Sequence, residues 1–337
     1  MVSSRSKVRS AHPVSTAWLL EAMTQQHDVL ARHQARKTHP FLKVAQTLPE
    51  ENANDIVSNK IDETELKYLH KLDEGTFGEA YLVKWKDEII VVKDFKLAAI
   101  SMSDCDSERI MMQMLTDLRA PNMVNILGYS QSSLHYSIAM PYFENGSLAN
   151  YMDRYDKPFP LRLTYRITKD FLRAIEYLHR NNIVHGDVKD TNILLDRRMR
   201  AYLTDFGMTR FLDNKVCDDI NLLWRAPEAL EQPYSQSTEM YSVGVVIWQL
   251  VTGKLPFEEW NDEAIVRFVA AGGRPKIPET CPTRLTKWIK KCWQHEPEKR
   301  MTATNILIEL EAFLEKGKKR RLPSQSEPSV ALLRKSL

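Results

Sequence analysis

Between residues 66 and 96, apolar and polar side chains alternate in short runs broken by a glycine-bearing turn. That period of two predicts hairpin strands. The pattern then changes once. Residues 104–118 carry the spacing of a helix, and short strands are predicted around 124–140. Beyond residue 147 the signals are mostly helical, over 161–181, 237–253, 262–271, 282–293 and 302–316. The order predicts an α+β fold: a small antiparallel β lobe with one helix, then a larger, mostly helical lobe.

The flanks read differently. Residues 15–37 are predicted helical, capped by Ser15 or Thr16, with a broken apolar stripe of Trp18, Leu19, Ala22, Met23, Val29 and Leu30. A linker follows, punctuated by Pro40 and Pro49, and the acidic, polar stretch 50–62 leads into the first strand. Residues 1–13, with Arg5, Lys7 and Arg9 among serines, read as a polar terminus rather than a transit peptide. The segment 317–337 is charged and rich in Ser and Pro, the composition of a flexible basic tail.

Charge and cysteines narrow the function classes. A net charge of +3 over 337 residues is nearly balanced and lacks the localised basic footprint of a nucleic-acid binder. Cys105, Cys217, Cys281 and Cys292 are scattered without metal-ligand spacing, as expected of reduced thiols inside the cell. No apolar run approaches the length of a membrane span. The expectation is a protein of the cytoplasm, with the basic run Lys316–Arg321 as a candidate nuclear-import segment.

The candidate chemistry lies between the flanks. Gly75 and Gly78, in Leu72-Asp73-Glu74-Gly75-Thr76-Phe77-Gly78-Glu79-Ala80, would let backbone approach a phosphate. Lys93 closes the apolar strand Ile90-Val91-Val92 fifteen residues later and could hold phosphates. Such a lysine needs an anion to fix it. Asp104, Asp106 and Glu108 compete on the next helix. Glu108 is preferred because Met111, Met112 and Leu115 follow at i+3, i+4 and i+7, which puts it on the buried face. Asp187 and Asn192 flank the loop before Ile193-Leu194-Leu195, and Asp205-Phe206-Gly207 comes thirteen residues after Asn192. Two acids and an amide around a hairpin suit Mg²⁺, which takes few protein ligands and leans on substrate phosphates. Each alone could be a turn residue. Their order is the sharper signal.

From about Leu66 to Leu314 these motifs resemble a eukaryotic protein kinase domain, with traits of the tyrosine-kinase-like group in Leu223–Glu228 and Tyr241–Trp248. The resemblance implies the bilobal kinase fold over residues 61–316, an N-lobe at about 61–140 and a C-lobe at about 144–316. It implies ATP and Mg²⁺ as cofactors and a protein substrate with a Ser or Thr hydroxyl, because Lys189 follows Asp187 by two. By family role, Asp187 orients the hydroxyl and Lys189 neutralises the transferring phosphoryl group. Asn192 and Asp205 hold metal. Leu72, Gly75, Gly78, Ala80, Val91, Lys93, Glu108, Met140, Tyr142, Phe143 and Leu194 bind ATP, with Met140 as gatekeeper and 141–143 as hinge. Arg300 pairs with Glu228 of Ala226-Pro227-Glu228 to hold the activation segment. A docking partner is expected for the N-terminal helix; no nucleic acid and no membrane is expected.

Six positions depart from the family, two of which, Ala80 for a valine and Val91 for an alanine, make a volume-conserving swap that argues for a retained purine slot. Asp73 replaces the first glycine of the loop, and Gly186 replaces a common arginine that meets a phosphate on the activation segment. Residues 208–225 offer only Thr209 for phosphorylation, so the domain is expected not to need it. Asn221 and Glu239 stand where a threonine and an aspartate usually support the catalytic loop. Asp73, Asn221 and Glu239 favour a rival reading, a pseudokinase scaffold without transfer activity. Intact Lys93, Glu108, Asp187, Lys189, Asn192 and Asp205 oppose it.

Overall fold

The alternation over residues 66–95 becomes three strands in a computed structural model that describes residues 60–155, 157–211, 222–230, 232 and 234–319. They are β1 (Leu66–Glu74), β2 (Gly78–Trp85) and β3 (Glu88–Phe95); β4 (Gly128–Gln131) and β5 (Tyr136–Pro141) complete an antiparallel sheet in the order β1-β2-β3-β5-β4. Along β3, Ile90 and Val92 turn into a core shared with Ile61, Val83 and Ala139. Val91 and Lys93, one residue out of phase, must face the other way. Helix α1 (Met102–Asp117) packs on β5, its first turn capped by the Ser101 hydroxyl.

The second lobe is helical: α2 (Leu148–Tyr155), α3 (Leu161–Arg180), α4 (Gln236–Thr252), α5 (Asp262–Ala270), α6 (Thr283–Cys292) and α7 (Ala303–Lys319). Helix α4 is buried without interruption from Thr238 to Leu250. An all-round apolar helix belongs at the centre of a lobe. A Ser235–Thr238 capping box starts it, α6 packs on it, and α3 packs on α7. Short strands β6 (Ile183–Val184), β7 (Ile193–Leu195), β8 (Ala201–Leu203) and β9 (Arg210–Phe211) pair as β6-β9 and β7-β8. They hold the loops 185–192 and 204–209 against each other.

The predicted helices agree with those observed to within two residues at each end, or three at the end of α7, which runs to Lys319. Helix α2 is the exception, because the sequence pattern does not mark it. Its start is set by a reciprocal exchange: Ser147 Oγ accepts the Asn150 N–H, and Asn150 Oδ1 accepts the Ser147 N–H and hydroxyl. The predicted helix at 15–37, the linker, Cys217, Asn221 and the tail beyond Lys319 lie outside the described residues. Cys105, Cys281 and Cys292 are buried free thiols. Among the described residues no helix is long and apolar enough to cross a membrane.

Candidate active site

Three elements bring the predicted charges together. Lys93 Nζ reaches Glu108 Oε1 at 2.8 Å and Oε2 at 3.1 Å, and Asp205 Oδ1 at 3.0 Å. Glu108 is 3% exposed, and it is the acid of α1 that faces the cleft. The two competitors are engaged elsewhere, Asp104 with the Ser101 hydroxyl and Asp106 with Tyr136 and Arg109. Burial pushes the Glu108 carboxyl up, against the pull of Lys93. Lys93 holds Asp205 below the usual carboxylate range. Burial works against the Lys93 charge, but Asp205 and Glu108 outweigh it and keep the ammonium firmly protonated. Asp205 has left-handed backbone, φ 64°, a conformation uncommon for a residue with a side chain. Its side chain remains 42% exposed, open to the cleft.

The second cluster sits on the loop after β6. Lys189 Nζ lies 2.6 Å from Asp187 Oδ2. Asn192 Nδ2 donates to the same Oδ2 at 2.9 Å and to the Asp187 carbonyl at 2.8 Å. Among the described residues, Asp187 Oδ1 has no hydrogen-bond partner and is the oxygen available to a substrate group. With its amide nitrogen committed, Asn192 presents Oδ1, whose contact with Thr191 is long at 3.4 Å. Asn192 Oδ1 and Asp205 are therefore the oxygens that fit a divalent cation. No group of three or more His, Cys, Asp or Glu forms a metal cage among the described residues.

Sheet register assigns the cleft face. Ala80 pairs with Lys93, Leu82 with Val91, and Val91 with Met140. Directly opposed residues share a face, so all of them line the side that Lys93 marks. Leu82 was not anticipated; its register opposite Val91 identifies it. Leu194, partly exposed between buried Ile193 and Leu195, presents itself from β7. Leu72 is exposed on β1, Tyr142 is half-buried, and Phe143 packs on Tyr202 at a 5.1 Å ring separation. A cavity of about 550 Å³ beside Arg274, Cys281 and Trp293 shares no residue with this cleft.

The two glycines of the β1–β2 turn differ. A side chain at Gly78 would meet the Asp94 carbonyl at 2.8 Å, so packing of β3 requires glycine there. At Gly75 the nearest atom would be 3.7 Å away, and nothing in the protein demands glycine. A close-approaching ligand would. Asp73 turns its carboxylate to the Glu74 N–H at 2.8 Å. Lys96 holds the turn through Glu74 at 2.6 Å and the Gly75 carbonyl at 3.2 Å.

The departures at 186 and 239 meet each other. Glu239 is fully buried; its Oε1 accepts the Gly186 N–H at 2.8 Å, and its Oε2 faces His179 Nε2 at 2.8 Å. Gly186 has φ 87°, and a side chain there would meet the Met208 carbonyl at 2.6 Å. Gly186→Arg, which restores the family residue, is therefore expected to destabilise the fold by about 1–3 kcal/mol. Gly186→Ala should cost nearly as much. Urea unfolding of both variants checks this, and a wild-type midpoint for either would contradict it. Thr209 donates its hydroxyl to the His185 carbonyl at 3.2 Å. Arg300 clamps Glu228 with two bonds of 2.6 and 2.7 Å.

Comparison with known proteins agrees with this geometry. The family described as "Protein tyrosine and serine/threonine kinase" matches residues 66–310. The serine/threonine-protein kinase STY46 of Arabidopsis thaliana is 29% identical over 254 residues, covering 73% of this chain and 44% of that protein. The probable serine/threonine-protein kinase gdt4 of Dictyostelium discoideum is 31% identical over 80% of this chain and 17% of its own length. The serine/threonine/tyrosine-protein kinase HT1 of Arabidopsis is 32% identical over 66% of this chain and 59% of its own. The chain thus spans less than two thirds of the length of each of these relatives. With two lobes, a lysine held by two acids across their cleft, and a family match through both, the chain belongs to the protein tyrosine and serine/threonine kinase family.

Proposed function

We propose that this chain is a protein serine/threonine kinase that transfers the γ-phosphoryl group of Mg·ATP to a protein hydroxyl, without needing phosphorylation of its activation segment. The observation that carries the reading is the pair of facing clusters, Lys93 with Glu108 and Asp205, and Asp187 with Lys189 and Asn192. Phosphoryl transfer asks the protein for position and cationic surround rather than covalent chemistry.

Adenine would lie between Ala80, Val91 and Met140 from the sheet and Leu194 from below, with Leu72, Tyr142 and Phe143 at the mouth. Gly75 and Gly78 give the phosphates room. Lys93, held by two acids, meets the phosphate oxygens. Asn192 and Asp205 would hold Mg²⁺, which supplies charge neutralisation on the phosphates when bound. Asp187 Oδ1 accepts a hydrogen bond from the substrate hydroxyl and aims its oxygen. Lys189 stands beside that acid to balance the charge that develops on the transferring group. Lys189 is also the residue that favours a serine or threonine acceptor.

Independence from segment phosphorylation is supported by two features. Gly186 offers no cation to a phosphate, and the Thr209 hydroxyl is already engaged. Phosphatase-treated protein is expected to label casein from γ-labelled Mg·ATP on serine or threonine, at its untreated rate. Activity that vanishes with phosphatase would overturn the independence. Label found on tyrosine alone would overturn the acceptor class. No transfer at all would leave the scaffold reading.

A further inference from the structure

The catalytic loop and the end of the activation segment are joined by a buried chain of hydrogen bonds that no role above uses. Asp190, between Lys189 and Asn192, is 2% exposed. Its Oδ2 accepts from Gln249 Nε2 at 2.6 Å. Gln249, fully buried on α4, accepts the Trp224 indole N–H on Oε1 at 2.7 Å. The amide orientation is settled by chemistry. An indole N–H only donates, so Gln249 turns its oxygen to Trp224 and its nitrogen to the carboxylate. About two turns earlier on the same face of α4, Ser242 Oγ donates to the Trp224 carbonyl at 2.8 Å. Trp224 is thus tied to α4 at two points seven residues apart, and Asp190 at one.

We infer that Asp190, Gln249 and Trp224 are positioning residues for the phosphoryl-acceptor substrate: through α4 they fix the segment before Ala226 relative to Lys189 and Asp187. The inference rests on the kinase reading and deepens it, since it names what holds the segment when no phosphate does. Three features favour a coupling role over filling. Asp190 Oδ1 is buried without a partner among the described residues, so the carboxylate is half satisfied and a small apolar residue would pack there at less cost. The bond it does make is charge-assisted and short. Every member bridges two elements that differ in the chain by 25 residues or more. A change at one end is therefore felt at the other through a single amide.

The test uses the full-length protein after phosphatase treatment, with casein as acceptor. Gln249→Met and Trp224→Phe keep volume and lose the bonds. Each is expected to lower kcat/KM for casein about tenfold, with KM for ATP within about twofold of wild type. The double variant should be no worse than the poorer single one, because either break opens the same chain. Asp190→Asn keeps an acceptor for Gln249 and should retain most of the activity, while Asp190→Leu should not. Multiplying effects, equal losses on the ATP side, or melting changes with unaltered kinetics would overturn the inference. A readout independent of turnover is the indole N–H resonance of Trp224, assigned by its absence in Trp224→Phe. Asp190→Leu should move it, although the two residues do not touch. If the wild type transfers no phosphate, the kinase reading falls, and a Trp224 resonance unmoved by Asp190→Leu then overturns the relay on its own.

Discussion

Asp187→Asn is expected to lower phosphoryl transfer by about 10²–10⁴-fold, the range for losing a positioned acid–base group. The substitution is nearly isosteric, so the loop should keep its shape. The charge is what changes. Lys189 loses the carboxylate it faces at 2.6 Å, and Asn192 loses an anionic acceptor at 2.9 Å. An asparagine can place its amide nitrogen where Oδ1 stands, and a donor there repels the hydroxyl proton that the carboxylate accepts. Nucleotide binding should survive, because Lys93, Glu108 and Asp205 form a separate cluster. The measurement is the initial rate of label incorporation, with the Mg·ATP-induced rise in melting temperature as control. Equal label from variant and wild type would remove both the role of Asp187 and the case for an enzyme.

Arg300→Leu should produce the largest loss of stability, about 3–5 kcal/mol. The Arg300 side chain is fully buried and Glu228 is 9% exposed. The guanidinium donates twice to Glu228 and also to the carbonyls of Gln294, Ser237 and His295. Leucine would leave a buried carboxylate without a counter-charge and three carbonyls without donors. In a domain of this size that amounts to a melting temperature lower by roughly 10 °C. Arg300→Lys should recover less than half, since an ammonium cannot match the fork geometry of a carboxylate. A shift under about 2 °C for the leucine variant would show that the clamp contributes little.

Glu108 illustrates what could be read early. Met111, Met112 and Leu115 follow it at i+3, i+4 and i+7 and place it on the buried face, whereas Asp106 lies on the opposite side and Asp104, four residues earlier, stays in the first turn with the Ser101 hydroxyl. Ala80 and Val91 were named through the resemblance, and sheet register then placed them on one face with Lys93. Leu82 escaped because its place follows from pairing with Val91, which is register rather than pattern. Helix α2 escaped because its eight residues include Asn150, Tyr151 and Asp153, poor helix formers, and the exchange between Ser147 and Asn150 starts it. The β6–β9 pair joins Ile183 to Phe211 and Val184 to Arg210 in two-residue strands, too short to leave any alternation to detect.

Gly186 and Glu239 show where local reading stops. In the chain they are two separate oddities: Gly186 removes the link to a phosphorylated activation segment, and Glu239 weighs against the support of the catalytic loop. In the folded molecule they are one contact: the Glu239 carboxylate takes the Gly186 N–H, at a backbone angle that excludes a side chain because of the Met208 carbonyl. The sequence alone pointed to the two lobes, to their helices apart from α2, and to Lys93, Glu108, Asp187, Asn192 and Asp205 as the polar groups to be brought together, because periodicity and residue chemistry are local properties. Only tertiary structure decided which departures meet each other, how Asp190 reaches Trp224, and which residues share the sheet face that Lys93 marks. Those are matters of distance between residues that the chain keeps far apart, and no local pattern encodes them.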